Sequence, residues 1–113
     1  MKRLFLVLLL VFGFSAIGQA YPDRPINMIV PYNAGGSLDS MTRIVVEFMK
    51  KELGKPIIIN NRPGASGTIG ADAFLKTKAD GYNVLVFPTS TFITPVFQGR
   101  EAIDSSKFAP VGG

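Results

Sequence analysis

The stretch INMIVPYNAGGSLDS, residues 26–40, joins a short apolar segment to a helical pattern through two glycines. An apolar segment of this length without alternation is typical of a strand that is covered on both faces. Beyond the glycines, apolar residues recur every three or four positions, which predicts an amphipathic helix over about residues 38–53. The predicted inward face of this helix consists of Leu38, Met41, Ile44, Val45, Phe48 and Leu53.

Both ends of the predicted helix carry suitable residues. Ser37 is the predicted N-cap, because a serine hydroxyl can accept a hydrogen bond from a first-turn N–H. Asp39 lies in the first turn, where the helix dipole favours a negative charge. Gly54 is predicted to end the helix, since glycine readily adopts the left-handed conformation found after helix C-termini.

A second unit of the same kind follows along the chain. Three consecutive isoleucines at residues 57–59 predict another buried strand, and residues 60–67 predict a loop. A second helix is predicted over about residues 68–78. Its predicted inward residues are Ile69, Ala73 and Phe74.

A third unit begins with a predicted strand at residues 84–87. Thr94 followed by Pro95 is typical of an N-cap and a first helical position, so a short helix is predicted over about residues 95–100. Strands that alternate with helices indicate right-handed crossovers and a parallel sheet. The sequence therefore predicts an α/β fold with a doubly wound parallel sheet in the strand order two-one-three.

The N-terminal 20 residues have the composition of a secretory signal peptide. Met1-Lys2-Arg3 is basic, residues 4–14 are almost entirely apolar, and a stretch of mostly small residues ends at Ala20. A permanent membrane anchor is the alternative, but a span needs roughly 20 apolar residues. We therefore expect cleavage after Ala20, a periplasmic location, and an α/β domain made of residues 21–113.

Composition excludes several classes of partner. The chain contains no cysteine, so neither a disulfide nor a lipid-modified cysteine is expected. Removing Lys2 and Arg3 from the 12 basic residues leaves only a small excess over the 8 acidic ones. Basic residues form no cluster along the sequence, and we therefore expect no nucleic-acid partner.

Three loops are expected to meet at the carboxyl edge of the sheet, where open α/β folds bind their ligands. They are residues 32–37, 60–68 and 88–94. Glycines allow backbone N–H groups to face a ligand, and the following helix adds its positive end. Gly35-Gly36 alone is equally compatible with a tight turn, but the second loop is also rich in small residues. A carboxylate is the expected guest, bound by backbone N–H groups and by hydroxyls of Ser37, Ser66, Thr68, Ser90 and Thr91.

Three other side chains of these loops have alternative roles. Asp39 either caps its helix, holds an ordered water or binds a ligand ammonium group, and the first two are favoured. Arg62 either pairs with the ligand or, as we prefer, ties the carbonyl groups of its own loop together. Tyr32 either flanks the pocket or packs beneath the loop.

Motifs of enzymes and metal sites are missing from the sequence. It has no Walker A motif and no dinucleotide fingerprint. The segment Gly64 to Thr68 falls one glycine short of a nucleophile elbow, and the chain has no histidine to act as the base for Ser66. Without His or Cys, only scattered carboxylates remain as metal ligands. We therefore predict a binding protein rather than an enzyme, with no cofactor and no metal.

Several segments in series resemble the periplasmic substrate-binding receptors of tripartite tricarboxylate transporters, often called Bug receptors. The resemblance covers all of residues 21–113 in the order found in that family. The segments are Tyr21–Ile26, Val30–Asp39, Asn61–Gly67, Asp80–Tyr82 and Phe108–Gly112.

The resemblance implies one lobe of a two-lobed periplasmic binding protein fold, truncated where the family's chain crosses into its second domain. It implies a receptor that closes on a di- or tricarboxylate, an acidic amino acid or an aromatic acid and delivers it to membrane permease subunits. It implies binding by Tyr32, Asn33, Ala34, Gly35, Gly36, Ser37, Asp39, Ala65, Ser66, Gly67, Thr68, Ser90 and Thr91. Many relatives have a small residue at the position of Asn33 and glycine at that of Ser66, which leaves the ligand's identity open.

Three other interpretations remain open at this point. The chain is alternatively a ligand sensor that presents its loaded form to a membrane kinase. It is alternatively an exported α/β enzyme whose catalytic residues lie beyond residue 113, or a truncated fragment without function.

Overall fold

The computed structural model describes residue 18 and residues 20–111. The predicted signal peptide therefore lies almost wholly outside the described residues, as does Gly112 of the last recognised segment. Within the described part, no helix has both the length and the apolar character needed to cross a membrane. The elements are β1 (Ile26–Val30), α1 (Ser37–Leu53), β2 (Ile57–Asn61), α2 (Thr68–Leu75), β3 (Asn83–Leu85) and α3 (Ser90–Phe97).

The three strands form one parallel sheet in the order β2-β1-β3, which confirms the predicted topology. Ile26 lies opposite Ile57 in one pair, and Asn27 lies opposite Asn83 in the other. The pairing continues beyond Val30, whose carbonyl accepts the N–H of Arg62 at 2.8 Å. The carboxyl ends of β1 and β2 therefore lie side by side, and the loops that follow them start from the same edge.

The main core lies between α1 and one face of the sheet. It consists of Ile26, Met28 and Ile57 from the strands and Val46 from α1, all of them buried. Met49 and Leu53 of α1 pack against this cluster from the helix side. Each fully buried aliphatic side chain of this kind stabilises the fold by roughly 1.5–3 kcal/mol.

The predicted inward face of α1 is largely wrong. Met41, Ile44, Val45 and Phe48 are all more than half exposed, whereas Asp39, Thr42 and Val46 are buried. Thr42 is buried because its hydroxyl donates to the carbonyl of Leu38 at 2.7 Å, and the carboxylate of Asp39 is likewise hydrogen-bonded. Polar groups whose hydrogen bonds are complete can be buried at little cost in free energy. A search for apolar periodicity does not predict that such residues face the core.

A second apolar cluster forms among the side chains of α2, α3 and the segments around them. The rings of Phe87 and Phe92 lie 4.7 Å apart between centroids, and Phe108 lies within 6 Å of Phe74, Phe87 and Phe92. Val84 and Val86 pack against the α1 core, so the alternation along the chain turns Phe87 to the other face of the sheet. The sheet is thus covered on both faces, and Phe74 faces inward as predicted.

Helix α2 approaches the sheet through its small residues. Gly70 and Ala71 are buried, whereas Ile69 is more than half exposed, so the inward position predicted for Ile69 is wrong. A Cβ atom on Gly70 would lie 2.4 Å from Cβ of Pro31. The helix is rotated so that its glycine faces the chain after β1, and a larger side chain at this position would prevent the contact.

Helix α3 begins at Ser90, five residues before the predicted start. Thr94 is not its N-cap but lies inside it, where its hydroxyl donates to the carbonyl of Ser90 at 2.8 Å. Pro95 therefore occupies the sixth helical position. Proline lacks an N–H and usually begins a helix or interrupts one, and here a helix of eight residues accommodates it near its C-terminal end.

Two of the recognised sequence segments contact each other at the amino edge of the sheet. The hydroxyl of Tyr82 donates to the carboxylate of Asp23 at 2.6 Å, and this hydrogen bond raises the pKa of the Tyr82 phenol. Arg24 lies over the ring of Tyr82 and pairs with Asp80 at 2.9 Å. These residues join the segment before β1 to the turn before β3. They lie at the end of the sheet opposite to the three candidate loops.

Candidate functional site

The three loops that were expected to share one edge of the sheet do meet there. The hydroxyl of Tyr32, in the loop after β1, lies 2.9 Å from Oγ1 of Thr91 in α3. Gly67, from the loop after β2, fits against both: a Cβ atom there would lie 2.9 Å from Cγ2 of Thr91 and 3.4 Å from the Tyr32 hydroxyl oxygen. Each of the three loops therefore contributes one residue to this junction.

The first loop, residues 31–36, has its two glycines in different roles. Gly35 has a φ of +80°, a conformation that favours glycine. Gly36 has an ordinary negative φ and is the N-cap residue of α1, so the prediction of Ser37 as N-cap is wrong. The N–H of Gly36 donates to the carbonyl of Asn33 at 3.2 Å. Ser37 is the first helical residue and is exposed, together with Asn33 and Ala34.

Asp39 is the buried charge at the start of α1, with only 1% of its surface exposed. Its Oδ2 accepts from the N–H of Gly35 at 2.8 Å and from Nε of Arg43 at 2.9 Å. These hydrogen bonds, that of Arg43 above all, hold the pKa of the Asp39 carboxyl well below its usual range. The bond to Gly35 is made to the residue before the N-cap, and no side chain caps the start of α1 in the described residues, so the capping role favoured for Asp39 is wrong. The carboxylate instead joins the first loop to the helix.

Asn61 contacts the first candidate loop, and the sequence did not predict these contacts. It is the last residue of β2, and its side-chain amide donates to the carbonyl of Tyr32 at 3.1 Å and to Oδ1 of Asp39 at 3.0 Å. The loop predicted over residues 60–67 begins only after Asn61, because β2 continues through residues 60 and 61. The available signal is its position at the carboxyl end of an apolar strand, at the edge of the sheet where the loops meet.

The second loop is a tight turn in left-handed conformations. Ala65 and Ser66 have φ values of +48° and +56°, and Gly67 has +93°. The Thr68 hydroxyl donates to the carbonyl of Ala65, so it is used within the loop. The Ser66 hydroxyl accepts from the side-chain amide of Gln98 at 3.3 Å and keeps its own proton for another acceptor.

The first turn of α3, which the sequence placed in the third loop, supplies one exposed and one buried hydroxyl. Ser90 is the first residue of α3 and is exposed. Thr91 is fully buried, and its hydroxyl is hydrogen-bonded to the hydroxyl of Tyr32. Of the five hydroxyls predicted to bind a carboxylate, those of Thr68 and Thr91 are therefore engaged inside the protein.

Arg62 does not tie its own loop through its guanidinium, which makes no hydrogen bond or ion pair with any residue of the described chain. The part of Arg62 that joins neighbouring segments is its backbone N–H, which bonds to Val30. In the range 20–111, no three potential metal ligands come together. A groove of about 220 Å³ lies elsewhere, between α1 and β2, and contains none of the predicted binding residues.

Comparison with known proteins shows which family the chain resembles. A family described as "Tripartite tricarboxylate transporter family receptor" matches residues 41–107. Protein BugT of Bordetella pertussis is 47% identical over 72 residues, which are 64% of this chain and 22% of BugT.

Solved structures agree with the sequence match. A TctC solute-binding protein from Polaromonas superposes with a TM-score of 0.65 at 40% identity, over 74% of this chain and 28% of that protein. MatC from Rhodopseudomonas palustris, solved with bound malate, superposes with a TM-score of 0.55 at 35% identity, over 57% of this chain and 22% of MatC. The chain thus spans about a quarter of the length of these relatives.

Proposed function

Because the chain belongs to the tripartite tricarboxylate transporter receptor family, we propose that it forms the ligand-binding lobe of a periplasmic receptor for an organic acid. In this proposal the receptor passes the acid to the permease subunits of a tripartite transporter. The observation that carries the proposal is the junction of Tyr32, Gly67 and Thr91, which joins three loops at the ligand-binding edge of a parallel sheet. The bound malate of MatC supports a carboxylate as the chemical class of ligand.

Main-chain N–H groups are proposed as the principal donors to the carboxylate. Ser37 and Leu38 lie in the first turn of α1, where backbone N–H groups have no helical carbonyl to bond. The helix dipole adds a partial positive charge at the same place. Further proposed contacts come from the turn at residues 65–68, from the exposed hydroxyls of Ser37 and Ser90, and from the hydroxyl proton of Ser66.

The charge of Asp39 does not prevent a carboxylate from binding nearby. An unpaired carboxylate at the start of α1 would repel an anionic ligand. Here Nε of Arg43 lies 2.9 Å from Oδ2 of Asp39, so the two charges largely offset each other. Asp39 is accordingly proposed to shape the loop, and Thr91 to hold Tyr32, rather than to touch the ligand.

The proposal is tested by titrating the purified, ¹⁵N-labelled protein with malate and following its backbone amide resonances. The panel continues with a tricarboxylate, an acidic amino acid and an aromatic acid. NMR is suited to the measurement because it detects affinities down to the millimolar range, and the lobe formed by these residues is expected to bind weakly whenever it is not closed against another. Saturable shifts should appear at Gly36–Leu38 and at Ser66–Thr68.

The matched control for malate is its neutral diamide, which has the same carbon skeleton without the charge. It should produce no saturable shift, since the helix N-terminus favours anions. Absence of saturable shifts across the whole panel of acids, or equal binding of the diamide, would show that this edge of the sheet does not bind carboxylates.

A further inference from the structure

We infer that Asn61 is a positioning residue for the carboxylate site, although its own side chain faces the protein and not the ligand. The inference rests on the proposed function, because it assigns Asn61 a role in organic-acid affinity. Asn61 is the last residue of β2 and is paired in register with Val30, the last residue of β1. It therefore projects from a rigid part of the sheet towards the first loop.

The side-chain amide of Asn61 fastens the first loop at two points. Its Nδ2 donates to the carbonyl of Tyr32, which precedes the two glycines, and to the carboxylate of Asp39, which follows them. The backbone between these points, residues 33–38, contains the N–H groups proposed to bind the ligand. One neutral NH₂ group thus sets the distance between the two ends of the binding segment.

A hydrogen-bond relay continues from Asn61 to Gly35. Asn61 bonds to Oδ1 of Asp39, while Oδ2 of the same carboxylate accepts the N–H of Gly35 at 2.8 Å. Within the described chain, Asn61 makes the one hydrogen bond to Oδ1, so it fixes the carboxylate plane together with the two donors to Oδ2, Gly35 and Arg43. If that plane turns, the Gly35 N–H loses its acceptor, and the backbone before α1 is free to move.

The chemistry at this position requires an amide. A primary amide presents two N–H groups in one plane and carries no charge, so it can join a carbonyl and a carboxylate without disturbing the Asp39–Arg43 pair. An aspartate of the same shape would offer no N–H and would place a second negative charge against Asp39. Binding sites lose affinity when their supporting contacts let the donors shift by a fraction of an ångström.

The test compares Asn61→Asp with Asn83→Asp in the purified protein at pH 7.5. Asn83 is the matched control, because its side chain also bonds within the sheet, to Asn27 and to the carbonyl of Lys78, but at the opposite edge. Malate titration should show at least a tenfold higher Kd for Asn61→Asp and a change of less than twofold for Asn83→Asp. Amide hydrogen exchange at Gly35 should accelerate at least tenfold in Asn61→Asp alone.

Asn61→Ser serves as the second variant in case Asn61→Asp does not fold. A serine hydroxyl donates only once, so the Kd and the Gly35 exchange rate should both rise above those of the wild type. A folded variant at Asn61 that binds malate as the wild type does, or leaves Gly35 exchange unchanged, would overturn the positioning role while the proposed function stands. A wild-type protein that binds no acid of the panel would overturn the proposed function, and the inference with it.

Discussion

The hydroxyl of Tyr32 and Oγ1 of Thr91 lie 2.9 Å apart, and they connect the loop after β1 to the helix after β3. The two residues are 59 positions apart in the sequence, and Thr91 is completely buried. This contact joins all three segments in one junction, because Gly67 of the remaining loop lies against both side chains.

Tyr32→Phe is expected to lower the free energy of unfolding by about 1–3 kcal/mol, because it leaves the buried Thr91 hydroxyl without a partner. Urea unfolding at pH 7 measures the change. Tyr21→Phe is the matched control: it removes a hydrogen bond of 2.7 Å to the carbonyl of Gly81, but at an exposed position where water can substitute. Its effect should be clearly smaller.

A double variant sharpens this measurement. Tyr32→Phe combined with Thr91→Val removes both polar partners and is expected to cost less than the sum of the two single changes. Additive losses would mean that the two hydroxyls do not stabilise each other.

Much of this architecture is predictable from local sequence patterns. The three strands, their parallel order and the shared edge all follow from apolar segments separated by helical ones, because right-handed crossovers leave few alternatives. The burial of a polar side chain is harder to predict when its hydrogen-bond partner is distant in the sequence. Asp39 is buried because Arg43, Gly35 and Asn61 satisfy its carboxylate, and no periodicity reveals the last of these contacts.

The adjacent valines of α1 show why its inward face was misjudged. Val45 fits the apolar stripe with Met41, Ile44 and Phe48, and this stripe is the more apolar of the two on the helix. Val46 belongs to a stripe that also contains Asp39 and Thr42, and it is the one that packs against the sheet. An amphipathic pattern predicts that the more apolar face of a helix is buried. The buried face can nevertheless contain polar residues, provided that their hydrogen bonds are complete.

These two valines provide the second prediction. Val46→Glu is expected to destabilise the protein by about 3 kcal/mol or more, because it places an unpaired charge in the core at a position with 1% exposure. Val45→Glu is the matched control at the neighbouring position and should change the free energy of unfolding by less than about 0.5 kcal/mol. Thermal unfolding followed by circular dichroism measures both, and equal losses would contradict the observed orientation of α1.

Gly70→Ala should destabilise the protein, although alanine normally favours a helix over glycine by up to about 1 kcal/mol. The new Cβ would lie 2.4 Å from Cβ of Pro31 and 2.9 Å from the carbonyl oxygen of Arg62, so α2 would have to move away from the sheet. We expect a loss of about 1–3 kcal/mol in urea unfolding. A gain in stability would show that α2 does not approach the sheet this closely.

Because the carboxylate of Asp39 is buried and hydrogen-bonded, we expect the free energy of unfolding to fall at acidic pH. Its pKa in the folded state lies below that in the unfolded chain, so its contribution is fully present above the unfolded value of about 4 and is lost as pH falls below it. The wild type should therefore lose stability between about pH 4 and pH 2. Asp39→Asn should be less stable than the wild type at pH 7 and lose less over the acidic interval.

The control for the acid experiment is Glu47→Gln. Glu47 pairs with Lys50 at 2.8 Å on the surface, and this pairing lowers the pKa of the Glu47 carboxyl. Because the pair is solvent-exposed and screened, its removal should alter the pH profile much less than Asp39→Asn does. Unfolding free energies measured by urea at several pH values test the difference, and identical profiles for the two variants would contradict a special role of Asp39.

Ser66→Gly is expected to raise the free energy of unfolding by about 0.5–1 kcal/mol. Ser66 has a φ of +56°, a left-handed conformation that costs a residue with a Cβ roughly 1–2 kcal/mol, while glycine adopts it freely at some cost in chain entropy. Ser40→Gly, in the exposed first part of α1, is the matched control and should lower stability by about 0.5 kcal/mol. If both substitutions lower stability equally, the left-handed backbone of Ser66 carries no net cost. A difference in sign, as expected, would show that this backbone conformation costs stability when the residue has a Cβ atom.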